Sequence, residues 1–254
     1  MTAPADETWP KSAVIQGASR GLGLGFVRAL LDRGVSVHAT CRDPSQAAEL
    51  SELATRESAL HVHRLDVTDE DTIAEAVRAI RANTPQLDLV VNASGVLHGE
   101  GLKPERRVEE LEARTLLDLM HVNAVGPMLV LKHLLPLLTH DRRAVAASLS
   151  ARVGSIGDNR RGGWYGYRSS KAALNQLHRS FAVELKRRAR NAISVVLHPG
   201  TVETRLTEPF RRSVPEGKLF SVETSVGLLL KVIDDLEPED HGQFFDYAKA
   251  PIEW

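Results

Sequence analysis

Tyr167 and Lys171, within Trp164-Tyr165-Gly166-Tyr167-Arg168-Ser169-Ser170-Lys171, are the residues whose types and spacing best suit chemistry. Four positions apart on a predicted helix, their side chains share one face. A free tyrosine hydroxyl, with a pKa near ~10, moves protons poorly at neutral pH. A nearby ammonium favours the phenolate and is expected to lower that pKa toward a useful range. An ordinary surface Tyr–Lys pair has the same spacing, so the pair gains meaning only beside a site that supplies something to react with.

Such a site is offered by Gly17-Ala18-Ser19-Arg20-Gly21-Leu22-Gly23, between a predicted strand and a predicted helix. A phosphate needs backbone without Cβ atoms in its way, and a helix N-terminus adds free N–H groups and a positive dipole end. Gly17, Ser19, Arg20, Gly21, Leu22 and Gly23 are therefore candidate nucleotide contacts. A plain glycine-rich turn is the alternative, and the strand–turn–helix context favours the nucleotide. NAD-binding sheets place a carboxylate about 20 residues past the glycines. Here that region reads Ala39-Thr40-Cys41-Arg42, with no acid before Asp43. Thr40 is neutral, Arg42 suits a 2′-phosphate, and Arg20 can close on the same group, because guanidinium donors pair with phosphate oxygens. Together they predict NADP(H). In Asp66-Val67-Thr68 the carboxylate either accepts from an adenine amino group or caps the next helix. Asn92-Ala93-Ser94-Gly95 is either a small-residue turn against the cofactor or a simple tight turn.

The elements that must position these residues alternate along the chain. Apolar runs at Ser12–Gln16, Val35–Thr40, Leu60–Leu65, Leu87–Val91, Ala144–Leu149 and Ile193–Leu197 predict strands, with a short last one at Gln243–Phe245. Helices are predicted over Leu22–Asp32, Glu49–Thr55, Thr72–Arg81, Val108–Leu138, Gly166–Arg188 and Val222–Leu236. Strands apolar throughout and separated by helices imply a parallel sheet covered on both faces. The expected fold is α/β: a single doubly wound, Rossmann-type domain with a central sheet of about seven strands. A flexible tail is expected over residues 1–10 and one domain over 11–254.

With the glycine loop, Arg42, Asn92–Gly95, Asn123 and Tyr167-x-x-x-Lys171 in order, residues 11–247 resemble the short-chain dehydrogenase/reductase family. Ser150–Asn159 and Gly162–Asn175 resemble in particular the branch of the C-factor and the sniffer-type carbonyl reductases. The resemblance implies that Tyr167 protonates a ketone or aldehyde oxygen as hydride arrives from NADPH. It implies that Lys171 holds the nicotinamide ribose and that Asn123 supports a water leading from Lys171 to solvent. Pro199, Gly200, Val202 and Thr204 would receive the nicotinamide carboxamide, and a homodimer or homotetramer is expected. One position departs from the pattern. The family's serine after the fifth strand aligns with Ala151, which leaves Ser150, or less directly Ser155, to polarise the carbonyl. Arg152–Trp164 and a lid at Arg205–Phe220 are expected on the substrate side. The lid's Arg205, Arg211 and Arg212 form either a solvated basic face or an attraction for an acidic substrate.

The 32 basic and 33 acidic residues nearly cancel, so no global charge favours nucleic acid or an anionic membrane. A single cysteine, Cys41, forms no internal disulfide and fits a reducing compartment. Met1–Pro10 does not read as a secretory signal, and no uninterrupted apolar run approaches the ~18 residues of a membrane helix. A cytoplasmic enzyme is expected, with no metal, since the histidines are scattered without an HExxH or Cys/His cluster. A nucleotide-binding signalling or regulatory protein with little turnover is the alternative, and Ala151 is the feature that leans toward it.

Overall fold

Strands that are apolar throughout need cover on both faces. The structure, a computed structural model that describes residues 9–254, meets that need with a seven-stranded parallel sheet between two helical layers. The strands are β1 (Ser12–Gln16), β2 (Ser36–Cys41), β3 (Leu60–Arg64), β4 (Leu89–Asn92), β5 (Ala144–Leu149) and β6 (Ala192–His198). Two short strands, β7 (Thr201–Val202) and β8 (Leu219–Phe220), pair only with each other, and β9 (Phe244–Asp246) closes the main sheet. Its order is β3-β2-β1-β4-β5-β6-β9. Sequence order reverses between β1 and β4, the switch point where such sheets open a crevice beyond their carboxyl ends.

Side-chain alternation divides the core. On β1, Ala13 and Ile15 face α1 (Gly21–Asp32), α2 (Ala48–Arg56) and α7 (Val222–Asp234). Val14 faces α3 (Glu70–Asn83), α5 (Gly126–Leu138) and α6 (Tyr165–Arg188). The helix expected over Val108–Leu138 starts later and is not uniform. A 3-10 turn spans Val108–Glu110, α4 covers Ala113–Met120, and a π-turn at His121–Val125 joins it to α5. Pro127 lacks the N–H that would bond the Asn123 carbonyl four residues back, so the α ladder cannot run through. Ala113–Leu138 is, by length and composition, long and apolar enough to cross a membrane, but more than half of its most apolar 18 residues are buried inside the domain.

Residues 1–8 of the expected tail lie outside the described residues. Its last two residues are not tail. Pro10 is buried, and Trp9 donates from Nε1 to the Arg143 carbonyl at 3.3 Å, with the Arg143 guanidinium 4.1 Å over its ring.

Several core histidines are neutral by construction. His38 on β2 is fully buried between His63, at 3.0 Å from Nδ1, and Thr84, at 2.8 Å from Nε2. Burial, reinforced by His63 and His61, depresses its pKa to about 4, and burial does the same to His178 and His198. Each binds its proton more weakly folded than unfolded, so the unfolded chain takes up more protons as pH falls from 6.5 to about 4. Stability is therefore expected to fall across that window, read as a thermal midpoint that drops steadily from pH 6.5 to pH 4. A midpoint flat over the same range would contradict the neutral-histidine assignment.

Candidate active site

Past β1 the chain turns sharply at Gly17, whose φ is +83°. The Gly17 and Ala18 amides donate to the Thr40 carbonyl at 3.0 and 2.9 Å, so Thr40 serves the loop through its backbone. A Cβ on Gly17 would lie 2.8 Å from the Ser94 nitrogen, and one on Gly23 only 2.1 Å from the Gly17 carbonyl oxygen. These contacts, rather than chance, require glycine. Gly21 opens α1, with Ser19 and Leu22 half-exposed around it. The helix has no side-chain cap and no acidic residue in its first turn, which leaves its amides and positive end for an anion. Arg20 and Arg42 are exposed, and neither guanidinium is held in a hydrogen bond or salt bridge.

Asp66 accepts from the Thr68 amide and hydroxyl at 2.9 and 2.7 Å, while the cap of α3 is Asp69. Partial burial pushes the Asp66 carboxyl up, but the Thr68 bonds and the charges of Arg42 and Arg64 outweigh it and hold it below the ordinary value. Val67 packs against Gly126, where a Cβ would meet it at 2.5 Å. In the turn after β4, Ala93 continues the ladder to Gln16, and Asn92 turns inward to bond Pro127 O and Ser148 Oγ at 3.1 and 3.0 Å. The Ser94 and Thr40 hydroxyls are buried without a partner.

Tyr167 and Lys171 sit in the first turns of α6, 7% and 3% exposed. The Lys171 ammonium donates to the Leu149 carbonyl at 2.9 Å and lies 5.9 Å from the centre of the Tyr167 ring. Burial lowers the Lys171 pKa to about 8 and raises that of Tyr167 above the usual phenol value. The expected lowering of the tyrosine is thus not what the protein alone produces: loss of hydration sets the direction. A free tyrosine is already protonated at neutral pH, so the shift makes the phenol a weaker acid, and added positive charge at the site has to bring its pKa down for efficient proton donation.

Asn123, fully buried in the π-turn, clamps two segments to this pair. Its Oδ1 accepts from the Val96 amide at 2.7 Å, and its Nδ2 donates to the Val96 carbonyl at 2.8 Å and Ser170 Oγ at 3.0 Å. The side-chain amide is thus engaged through both its oxygen and its nitrogen. Val96 and Ser170 were not legible as partners, although Ser170 stands next to Lys171. At the end of β5, Ser150 donates its amide to Leu197 O at 2.8 Å, and its hydroxyl is buried without a partner. Alternation from Ala144 and Ala146 puts Ser150 on the side of α5 and α6. Ser155 is engaged, accepting from the Asp158 amide at 3.1 Å.

The turn after β6 completes the crevice. Ser225 donates to the Pro199 carbonyl at 2.8 Å, Gly200 takes φ +80° against the Phe220 ring, and Thr204 lies over Gly21. The Val202–Phe220 pairing ties both ends of the expected lid together. Arg211 of the lid pairs with Glu203, just before its start, at 2.5 Å. Two aromatic contacts carry the lid to the tyrosine: the Phe210 ring is 4.8 Å from Trp164, which lies edge-on 6.3 Å from Tyr167. His98 meets Phe210 at 5.9 Å and holds the Arg205 and Leu206 carbonyls, each at 3.1 Å.

Residues 11–215 match the family model of short chain dehydrogenases. The NADPH-bound carbonyl reductase from chicken fatty liver has a TM-score of 0.85 at 30% identity, over 96% of this chain and 99% of that one. The carbonyl reductase Sniffer of D. melanogaster has the same score and coverage at 32% identity. The C-signal of Myxococcus xanthus is 34% identical over 180 residues, 70% of this chain and 100% of that protein.

Replacing Asn123 by alanine unpairs the Val96 backbone and leaves Ser170 without its donor. The expected cost is about 1–3 kcal/mol of folding stability, read from denaturant midpoints. An unchanged midpoint would mean that the clamp contributes nothing.

Proposed function

Because the chain belongs to the short-chain dehydrogenase family, we propose that this oxidoreductase reduces a ketone or aldehyde with NADPH, Tyr167 donating the proton. The observation that carries the reading is a buried phenol one helical turn from a buried ammonium that lies 5.9 Å from its ring centre. The cofactor end supports it. The glycine cradle has no room for Cβ atoms, the start of α1 is uncapped, and Arg20 and Arg42 are free to take a 2′-phosphate. Asp66 and Val67 would face the adenine, Ala93, Ser94 and Gly95 the adjoining backbone, and the Pro199–Thr204 turn the nicotinamide.

NADPH, when bound, supplies the hydride that the carbonyl carbon accepts. Tyr167 gives its hydroxyl proton to the carbonyl oxygen and is left as a phenolate. Lys171, charged below about pH 8, stabilises that phenolate and relays a replacement proton, with the Asn123 carbonyl supporting the water behind it. The unpartnered Ser150 hydroxyl is the donor that would polarise the carbonyl in place of the serine missing at Ala151. Trp164 and Phe210 offer an aromatic wall beside the proton donor, which suits a carbonyl carried by an apolar or flat group. Leu117, Leu177 and Val183, exposed on α4 and α6, support association with a second copy. The second reading, a nucleotide-binding signalling protein of low turnover, is favoured by Ala151 and by the similarity to the C-signal.

Two substitutions test the assignment. Tyr167→Phe is expected to leave NADPH affinity within about twofold while lowering turnover about 100-fold or more; parallel loss of binding would contradict the role. Arg42→Ala is expected to weaken NADPH at least about tenfold with little change for NADH, and an equal change in both would sink the 2′-phosphate argument.

A further inference from the structure

The helix that carries Tyr167 does not cap itself. Trp164 occupies its cap position with φ +52° and no side-chain bond, after Gly162 and Gly163 at +64° and +65°. Three successive left-handed residues bring the chain abruptly into α6, and nothing local satisfies the first amides. Glu105, from the connection between β4 and α4, does so instead. Its backbone carbonyl accepts from the Trp164 amide at 2.5 Å, and its carboxylate Oε2 accepts from the Gly166 amide at 3.1 Å, across 61 residues of sequence.

This carboxylate is 4% exposed, and its Oε1 is buried without a hydrogen-bond partner. A Cβ on Gly166 would lie 2.9 Å from that oxygen and 2.5 Å from Leu119 Cδ1, so a glycine is needed for the approach. Burying a carboxylate among leucines is unfavourable unless something local compensates. Here the compensation is the positive end of α6 and one of its unpaired amides. The amide that Glu105 holds belongs to the residue immediately before Tyr167, and the one its carbonyl holds belongs to Trp164, the ring packed between Tyr167 and Phe210.

We propose that Glu105 is a positioning residue for the reduction: it grips the first turn of α6 and so sets where the Tyr167 hydroxyl meets the substrate oxygen. The inference rests on Tyr167 being the proton donor. Small displacements of a reacting group are costly, on the order of 100-fold per ångström, so a loosened first turn should appear in turnover more than in binding.

The test uses three variants of the full chain, with two readouts. Glu105→Ala removes the acceptor. Glu105→Asp keeps the charge but withdraws the oxygen by about one C–C bond, ~1.5 Å. Glu105→Gln keeps an acceptor at the same reach. Expected for Ala and Asp is a fall in kcat of about tenfold or more, with KM for the carbonyl and the NADPH Kd changed less than about twofold. Exchange of the Gly166 amide, followed by NMR without substrate, should quicken about tenfold in the same two variants, while amides of α3 keep their rates. Glu105→Gln should stay close to wild type in both. The proposal is overturned if Asp or Ala retains full kcat, if Gln falls as far as Ala, or if Gly166 exchange does not change. Should Ala fail to fold, Asp against Gln carries the same contrast. If the wild-type protein turns over no carbonyl, the reductase reading fails, and amide exchange still decides whether Glu105 holds the helix.

Discussion

A buried ammonium has to find oxygen, and the active end of this molecule is arranged around that requirement. Lys171 extends from α6 beneath the carboxyl end of the sheet and meets the Leu149 carbonyl as β5 ends. Two glycines make room beside it. A Cβ on Gly95 would stand 3.4 Å from its Nζ, and one on Gly154 would stand 2.7 Å from its own Cβ. Asn123 joins the β4 turn to α6 from the other side through Val96 and Ser170. The lysine thus fixes the distance between helix and sheet edge, and the tyrosine one turn earlier inherits its place from that distance.

The same edge carries a second constraint of pure packing. The glycine loop, the β4 turn and the Thr204 turn come together closely enough that side chains are excluded at Gly17 and Gly23 and Gly21 lies against Thr204. That closeness brings the uncapped start of α1, with its unbonded amides, to the crevice at the switch point. The Tyr167–Lys171 pair at one end of the crevice and the glycine loop at the other are held together by backbone geometry, with few side-chain bonds between them.

Most of this was legible from residue pattern. Strands β1 and β5 fall on the expected residues, and the glycine loop and the Tyr167–Lys171 face stand where the spacing put them. What could not be read has physical reasons. A π-turn shifts the ladder by a single residue, too little for apolar periodicity to register, and Pro127 was its only local sign. Asp66 stood open as the cap of α3, but the backbone gives that place to Asp69, three residues on. The direction of the tyrosine's pKa depends on how little water surrounds it, which spacing to a lysine does not report. Glu105 lies in Lys103-Pro104-Glu105-Arg106-Arg107, a run that looks solvated, and only a partner far along the chain buries it.

The central claim is that the Tyr167–Lys171 pair and the phosphate-ready crevice form one working reductase. The most direct measurement is NADPH oxidation by the purified protein against a panel of ketones and aldehydes with apolar or aromatic substituents, alongside NADPH and NADH binding titrations. The account predicts preferential NADPH binding, and oxidation that forms alcohol mole for mole with at least one flat or apolar carbonyl. Tight NADPH binding with no alcohol formed from any of them would contradict it, and would leave a protein that holds the nucleotide for a purpose other than turnover.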